Sequence, residues 1–475
     1  MENDQNSTHV AVIGAGPGGY AAAFMAADLG MKVSLIDTEP NPGGVCLYRG
    51  CIPSKALLHV AKVLTDAREA KEWGITFAEP KIDLELLRNG KDSVVQKMTD
   101  GLGQLCKARG VSFIRGRASF MDSTTLQITS DRGKERTLQC DFTILAPGSR
   151  PATLPDVYLE SPRLMNSTAA LQLNDIPKNM LIVGGGYIGL ELGIVYASLR
   201  TQVTVVEMTP SLLPGTDSDL VKILAKRVQT MIHAILLNTK VVDMKEVKGG
   251  IRVKFEGPGL KTPEQNFEKV LVCVGRKPNS SGLSLNSTKV EVDKHGFVKV
   301  DEQRRTTDPK IFAIGDVAGG PLLAHKATHE GRVAAEVIAG HKVAFEPRAI
   351  PAVVFTDPEV AWCGLTESQA RQEGRTVKVA RFPWGASGRA STLHRSDGMT
   401  KIITNPETDQ VLGVGIVGPG AGELISEGAL AIEMGASAGD VRLTIHPHPT
   451  LGETIMESAE MIFGHSTHVY RPKRD

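Results

Sequence analysis

An apolar run, Val10-Ala11-Val12-Ile13, is followed at once by Gly14-Ala15-Gly16-Pro17-Gly18-Gly19. An alanine-rich stretch then extends to Gly30. A second largely apolar run, Val33-Ser34-Leu35-Ile36, ends in Asp37. Short apolar runs bounded by turn residues predict buried strands, and the alanine-rich stretch between them predicts a helix. The same order recurs at Asn179 to Val183, then Gly184-Gly185-Gly186-Tyr187-Ile188-Gly189, a helix to about Leu199, Gln202 to Val206, and Glu207. In both copies the acid lies 23 residues after the first glycine. No other internal similarity and no low-complexity segment is present.

The repeated pattern has a chemical reading. Gly14 and Gly184 permit the tight turn, and Gly16 and Gly186 let a pyrophosphate approach the backbone. Gly19 and Gly189 let the helix pack on its strand, and the helix N-terminus faces the phosphates. Asp37 and Glu207 stand where a ribose hydroxyl acceptor belongs. The bland alternative is a glycine turn used only for packing. With both strands, the helix and the acid in place twice, the pattern predicts two bound dinucleotides.

Between the two units, Ala70 to Leu86 is mixed and turn-like, and Ser93 to Ala108 predicts an amphipathic helix. Val111 to Ile128 predicts short strands, and Thr143 to Leu145 a strand ending in a turn. Arg150 to Pro155 reads as a rigid linker into the second unit. Val270 to Pro278 closes that unit. Ile311 to Ile314 predicts a short buried strand ending at Asp316, which either caps the next turn or holds hydroxyls of a cofactor. From Ile350 the pattern becomes strand-rich, then helical over Gly422 to Met434, without a third fingerprint. The predicted fold is α/β, with two Rossmann-like dinucleotide-binding domains and a C-terminal α+β domain. The predicted domains are residues 1–150, 151–277, a central domain at 278–349, and a last domain at 350–475.

The length of 475 residues fits this division. A net charge of +1 argues for neither nucleic acid nor an anionic membrane surface. No run of eighteen apolar residues predicts a transmembrane helix. The start, Met1 to His9, is polar and has no apolar signal region. Six cysteines in a chain of this length do not make a secreted disulfide scaffold. The expected location is the cytoplasm, or an organelle matrix after processing.

Two clusters carry chemistry. Cys46 and Cys51 stand five apart in Gly43-Gly44-Val45-Cys46-Leu47-Tyr48-Arg49-Gly50-Cys51-Ile52-Pro53-Ser54-Lys55. In a regular helix that spacing leaves about 8.6 Å between Cα atoms, beyond the roughly 7 Å limit for a disulfide. If the pair bridges, the backbone bends tightly, and Gly50 supplies the freedom. A small, accessible disulfide is redox-active. Two free thiols, or half a zinc site, are the alternatives. Cys106, Cys140, Cys273 and Cys363 are scattered singly, so no four-ligand zinc set and no metal site is expected. With a dithiol beside two dinucleotides, the economical pair is a flavin and a nicotinamide. The second cluster is His446-Pro447-His448-Pro449-Thr450-Leu451-Gly452-Glu453. A histidine and a carboxylate there make either a general base with its orienting acid or a surface loop with satisfied imidazoles.

These motifs together resemble the dihydrolipoamide dehydrogenases, flavoprotein disulfide reductases, over nearly the whole chain. The resemblance rests on Cys46 to Leu58 (CLYRGCIPSKALL), Gly184 to Gly193 (GGGYIGLELG), Ile311 to Val317 (IFAIGDV) and Leu322 to Ala327 (LLAHKA). Phe355 to Ala361 (FTDPEVA), Val417 to Leu424 (VGPGAGEL) and His446 to Glu453 extend it. It implies that Cys46 is the thiol that meets lipoamide and that Cys51 faces the flavin. Lys55 and Glu191 would pair beside the flavin ring, and Asp316 would bind its ribitol. Leu323, Ala324 and His325 would line the same side, and Ala118 and Gly148 would touch the flavin nucleotide. Ile188, Val241 and Gly275 would line the NAD site. His448 and Glu453 would reach the dithiol of the other subunit of a homodimer, with the last domain as the dimerisation domain. The implied reaction oxidises a dihydrolipoyl group, carried by a protein of a 2-oxoacid dehydrogenase or glycine-cleavage complex, and reduces NAD. Related reductases act on glutathione, coenzyme A disulfide or a metal ion, and a flavin-binding scaffold without thiol turnover is a further rival. The chain departs from the family pattern at Val45, Tyr48, Pro147 and Ser387-Gly388-Arg389-Ala390. It ends in a cysteine-free tail from Thr467 to Asp475.

Overall fold

The computed structural model describes residues 8–157 and 159–470. The polar start before Thr8, and the tail beyond Tyr470, lie outside the described residues. The first fingerprint folds as strand His9–Ile13, helix Pro17–Asp28 and strand Lys32–Asp37, with the strands parallel and His9 opposite Lys32. Pro17 starts the helix, where its missing N–H costs nothing. Four of the five strand residues are buried, as a parallel strand covered on both faces requires.

Its sheet has five parallel strands in the order Ile311–Ala313, Phe142–Leu145, His9–Ile13, Lys32–Asp37, Ser112–Arg115. One edge therefore comes from a segment far along the chain. The helix that follows it, Ala324–Ile338, packs on Pro17–Asp28 at the distance two glycines allow. A Cβ on Gly331 would lie 2.5 Å from the Gly18 carbonyl oxygen. The segment after the second unit thus returns to complete the first.

The second fingerprint repeats the plan. Its parallel sheet runs Ala234–Leu236, Gln202–Val206, Asn179–Val183, Lys269–Val272, Leu164–Met165. Each unit also carries a three-stranded antiparallel meander, Arg117–Asp122, Thr125–Thr129 and Glu135–Gln139 in the first. In the second it is Lys240–Val247, Gly250–Glu256 and Glu264–Phe267. The segment at Arg150 is more than a linker. Ser149–Pro151 pairs antiparallel with Arg276–Pro278 and ties the exits of the two units together.

The last domain is a five-stranded antiparallel sheet in the order Ala352–Val354, Val360–Gly364, Val411–Val417, Met399–Thr404, Lys378–Pro383. Helices Ala421–Glu433 and Glu453–Ile462 cover it. The helix expected from Ser93 begins at Leu84, because the Asp83 carboxylate accepts the N–H groups of Glu85 and Leu86 and caps it nine residues earlier. No described helix is long and apolar enough to cross a membrane.

Candidate functional site

The two glycine turns have matching geometry. Gly14 has φ +96°, and a Cβ there would sit 2.1 Å from the Ala146 carbonyl oxygen. Gly184 has φ +111°, with the Cys273 oxygen at 2.5 Å. Only glycine fits such a turn. Gly19 and Gly189 approach the carbonyls of Gly14 and Gly184, as helix-on-strand packing needs. Around Gly16 and Gly186 there is open space, with nothing closer than 4.0 Å to an added Cβ. That is the cradle a pyrophosphate would fill.

The acids match too. Asp37 accepts from the N–H of Ala15 at 2.6 Å and of Glu39 at 3.0 Å. Glu207 accepts from Gly185 at 2.7 Å and Thr209 at 2.8 Å. Each carboxylate is fixed at a strand end and keeps acceptor capacity for sugar hydroxyls.

Beside the first turn lies a cavity of about 540 Å³. Of the residues expected around the flavin, Gly14, Gly16, Asp37, Cys46, Cys51, Lys55, Ala118 and Gly148 line it, joined by Glu191, Asp316 and Ala324; Gly19 packs beneath it, and Ile188, expected at the NAD site, stands in this wall instead. The cavity, the glycine cradle and the ribose acceptor fit FAD. Leu323 and His325 lie outside this wall, and Leu322 and Ala327 stand in it instead. The reason is the helix start at Ala324, which puts Ala324 and Ala327 on one face. His325 turns away and bonds the Pro351 carbonyl at 2.7 Å. Gly184, Gly186, Gly189, Glu207, Val241 and Gly275 also lie outside the wall, around the second turn or on its meander.

The dithiol sits where two helices meet end to end. Helix Gly44–Arg49 stops at Gly50, and helix Cys51–Glu69 begins directly after it. A Cβ on Gly50 would lie 2.8 Å from the Val45 carbonyl oxygen, so the break needs glycine. All six cysteines are free thiols. Cys46 and Cys51 hydrogen-bond each other, which draws Cys51 down to about 7 and pushes Cys46 up. Burial opposes the change at Cys51, and the Lys55 ammonium assists it. One proton shared between two sulfurs leaves a thiolate within reach near neutral pH. Cys106, Cys140 and Cys363 are buried, and burial raises each.

Lys55 donates to Glu191 Oε2 at 2.8 Å, and Ser54 Oγ donates to the same oxygen at 3.1 Å. Glu191 is 3 % exposed. Asp316 accepts from Ser149 Oγ, which Arg276 Nε in turn meets at 2.6 Å. Ser149 and Arg276 are wall residues that no local pattern announces, since strand pairing brings them there, and Leu322 and Tyr187 join them from within the conspicuous motifs.

His448 and Glu453 stand apart from this cavity. His448 Nδ1 meets Glu453 Oε1 at 2.8 Å, and Thr450 N–H donates to Oε2 at 2.8 Å. Burial alone would raise Glu453, but these two partners outweigh it and hold the carboxyl below its usual range. With Nδ1 carrying the proton, Nε2 is left as the free acceptor on a ring whose side chain is 70 % exposed. His446 is occupied differently, between the Thr444 carbonyl and Glu427, each at 2.8 Å. A third pair, His468 with Glu457 at 2.6 Å, fastens the tail to the helix that carries Glu453.

Residues 8–331 match the pyridine nucleotide-disulphide oxidoreductase family, and residues 350–459 match its dimerisation domain. The dihydrolipoyl dehydrogenase of Haemophilus influenzae is 49% identical over 460 residues, covering 97% of this chain and 96% of that protein. That of Geobacillus stearothermophilus is 43% identical, covering 97% of each. Among solved structures, LpdA from Mycobacterium tuberculosis superposes with a TM-score of 0.89 at 26% identity, covering 96% of this chain and 99% of that one. The Cu(II) complex of the flavoprotein disulfide reductase RclA from Escherichia coli gives 0.85 at 25% identity, covering 96% and 100%. With a family model matched over residues 8–331 and relatives 49% and 43% identical over nearly their full length, the chain belongs to the pyridine nucleotide-disulphide oxidoreductase family.

Proposed function

We propose that the protein is an NAD-dependent dihydrolipoyl dehydrogenase in which Cys46 and Cys51 form the reversible disulfide. The observation that carries this is the Cys46–Gly50–Cys51 break on the wall of the FAD-sized cavity. A thiolate of the substrate attacks Cys46 sulfur, and the Cys46–Cys51 bond breaks with Cys51 leaving as thiolate. His448 of the partner subunit takes the substrate proton at Nε2, with Glu453 holding the ring. The second substrate sulfur then attacks the first, closing the lipoyl disulfide and releasing Cys46. The leaving group is favoured because Cys51 is already drawn down to about 7. FAD, when bound, relays the two electrons between the sulfur pair and the nicotinamide. The homodimer receives its substrate from a lipoyl-bearing protein of a 2-oxoacid dehydrogenase or glycine-cleavage complex.

The test is anaerobic reduction of the purified flavoprotein by dihydrolipoamide, followed by its spectrum. A long-wavelength thiolate–flavin band is expected, with NADH formed on adding NAD. Cys51→Ser should keep FAD and lose both the band and nearly all turnover. A Cys51→Ser protein with full turnover ends the assignment. Faster turnover with glutathione disulfide or coenzyme A disulfide would move the substrate to another branch of the family.

A further inference from the structure

The Lys55–Glu191 pair does not stand on two domains alone. Glu191 Oε2 faces the Ser54 hydroxyl and the Lys55 ammonium, while Oε1 accepts the backbone N–H of Phe355 at 3.0 Å. Phe355 follows strand Ala352–Val354 of the last domain. Its ring lies under the Lys55 ammonium, with Nζ 4.5 Å from the ring centroid. That is within cation–π range, and an ammonium so placed is held against both its carboxylate and the ring. The Lys55 side chain is 32 % exposed, so water is the competing partner. Among the described residues, Glu191 and Phe355 are the groups that hold this ammonium.

We infer that Phe355 is the positioning residue for Lys55, so that the dimerisation domain sets how strongly that cation acts on the Cys51 thiolate. The inference rests on the disulfide-reductase reading above. It also separates two roles of one residue. The backbone N–H of Phe355 orients Glu191 and survives any side-chain change. The ring packs on the apolar cluster that includes Leu57 and Val354 and is the group that meets the Lys55 ammonium. Removing the ring therefore leaves the salt bridge partner in place and frees the ammonium to lean toward solvent. Cys51 then loses part of a favourable charge, and its thiol forms at a higher pH than before.

The experiment uses the two-electron-reduced holoprotein, with the long-wavelength band titrated against pH in wild type, Phe355→Leu and Phe355→Trp. Phe355→Leu should move the midpoint up by about half a pH unit, roughly threefold in the thiolate equilibrium. Phe355→Trp, which restores an aromatic face, should leave it near wild type. In a Lys55→Met background the Phe355→Leu shift should vanish, because the cation it positions is gone. A Phe355→Leu midpoint equal to wild type, or a shift that persists without Lys55, overturns the inference. Where leucine compromises FAD retention, Phe355→Met keeps the volume and should give the same shift. A wild-type protein with no band at all would instead remove the disulfide reading beneath it.

Discussion

A carboxylate at the end of one strand is expected to set which nicotinamide the protein uses. Glu207 is only 7 % exposed and is fixed by two backbone N–H groups. There it can accept both hydroxyls of an adenine ribose and repels a 2′-phosphate. Met208, Thr209 and Pro210 follow, without an arginine to hold that phosphate. Losing a few charge-assisted contacts gives a preference for NAD of about a hundredfold in kcat/KM. Equal values for the two cofactors would mean that Glu207 does not read the ribose. A second expectation concerns pH. A thiol drawn down to about 7 is protonated below that value and ionised above it, so the thiolate–flavin band should grow as pH rises through 7. A band of constant height from pH 5 to 9 would contradict it. Single residues also mark what the chain leaves unsaid. Cys46 with Cys51, and His448 with Glu453, are legible as pairs because each is held to a short spacing, while the roles expected of them come from the family resemblance. Tyr48, a departure from the family pattern, gives no hint in sequence of what it does. Its hydroxyl meets both the N–H and the carbonyl of Asn41, bracing the loop before the dithiol helix. Its role is the clamp on that loop, set by a contact seven residues away.

Elements whose period is unbroken were readable, and those shaped by distant partners were not. Both glycine turns, their flanking strands and their helices follow from the apolar runs, because parallel strands buried on two faces are apolar almost throughout. The pattern shows the helix from Leu84 only from Ser93, because its first turns expose Leu86 and carry Gly90, which blur the amphipathic stripe. Nor could any pattern show that Lys401, on strand Met399–Thr404, would be buried at 1 % exposure. Its ammonium meets Asp217 at 2.6 Å, Asp219 at 2.8 Å and Glu367 at 3.0 Å, with Arg381 alongside. Those three carboxylates lie close enough to hold a metal, but the ammonium takes that place. The cluster fastens helix Ser218–Met231 of the second unit to the last domain. Lys401→Met should destabilise by about 3–5 kcal/mol, since it strands the buried Asp217 carboxylate, and denaturant unfolding would read it. No loss of stability would make the cluster incidental. At Asp217 and Asp219 burial favours the neutral acid, yet Lys401 outweighs it and both carboxyls sit below the usual 3.8. Depressed carboxyls stabilise fully above their unfolded values, and that stability drains away as pH falls through the lowered folded ones. The domain contact should therefore persist at pH 5 and fail in stronger acid.

At the scale of the whole molecule the chain is wound so that its late segments serve early ones. Ile311–Ala313 and Ala324–Ile338 complete the first sheet and its helix layer, and Ser149–Pro151 with Arg276–Pro278 joins the two units. The last domain reaches back through Phe355 to the pair beside the dithiol. The cavity wall of one chain includes Cys46 and Cys51 but neither His448 nor Glu453. In a symmetric dimer each complete site would then draw its sulfurs from one copy and its base from the other.

That division has a genetic consequence. Two alleles, one encoding Cys46→Ser and the other His448→Ala, are each silent when alone. Expressed together in equal amounts, their products pair at random and about half the dimers are mixed. Every mixed dimer holds one doubly damaged site and one site with both cysteines and the histidine intact. The double carrier should show about a quarter of normal activity, so two null alleles would complement within a single gene. Extracts no more active than either parent, with mixed dimers verified by mass, would place base and sulfur on the same copy.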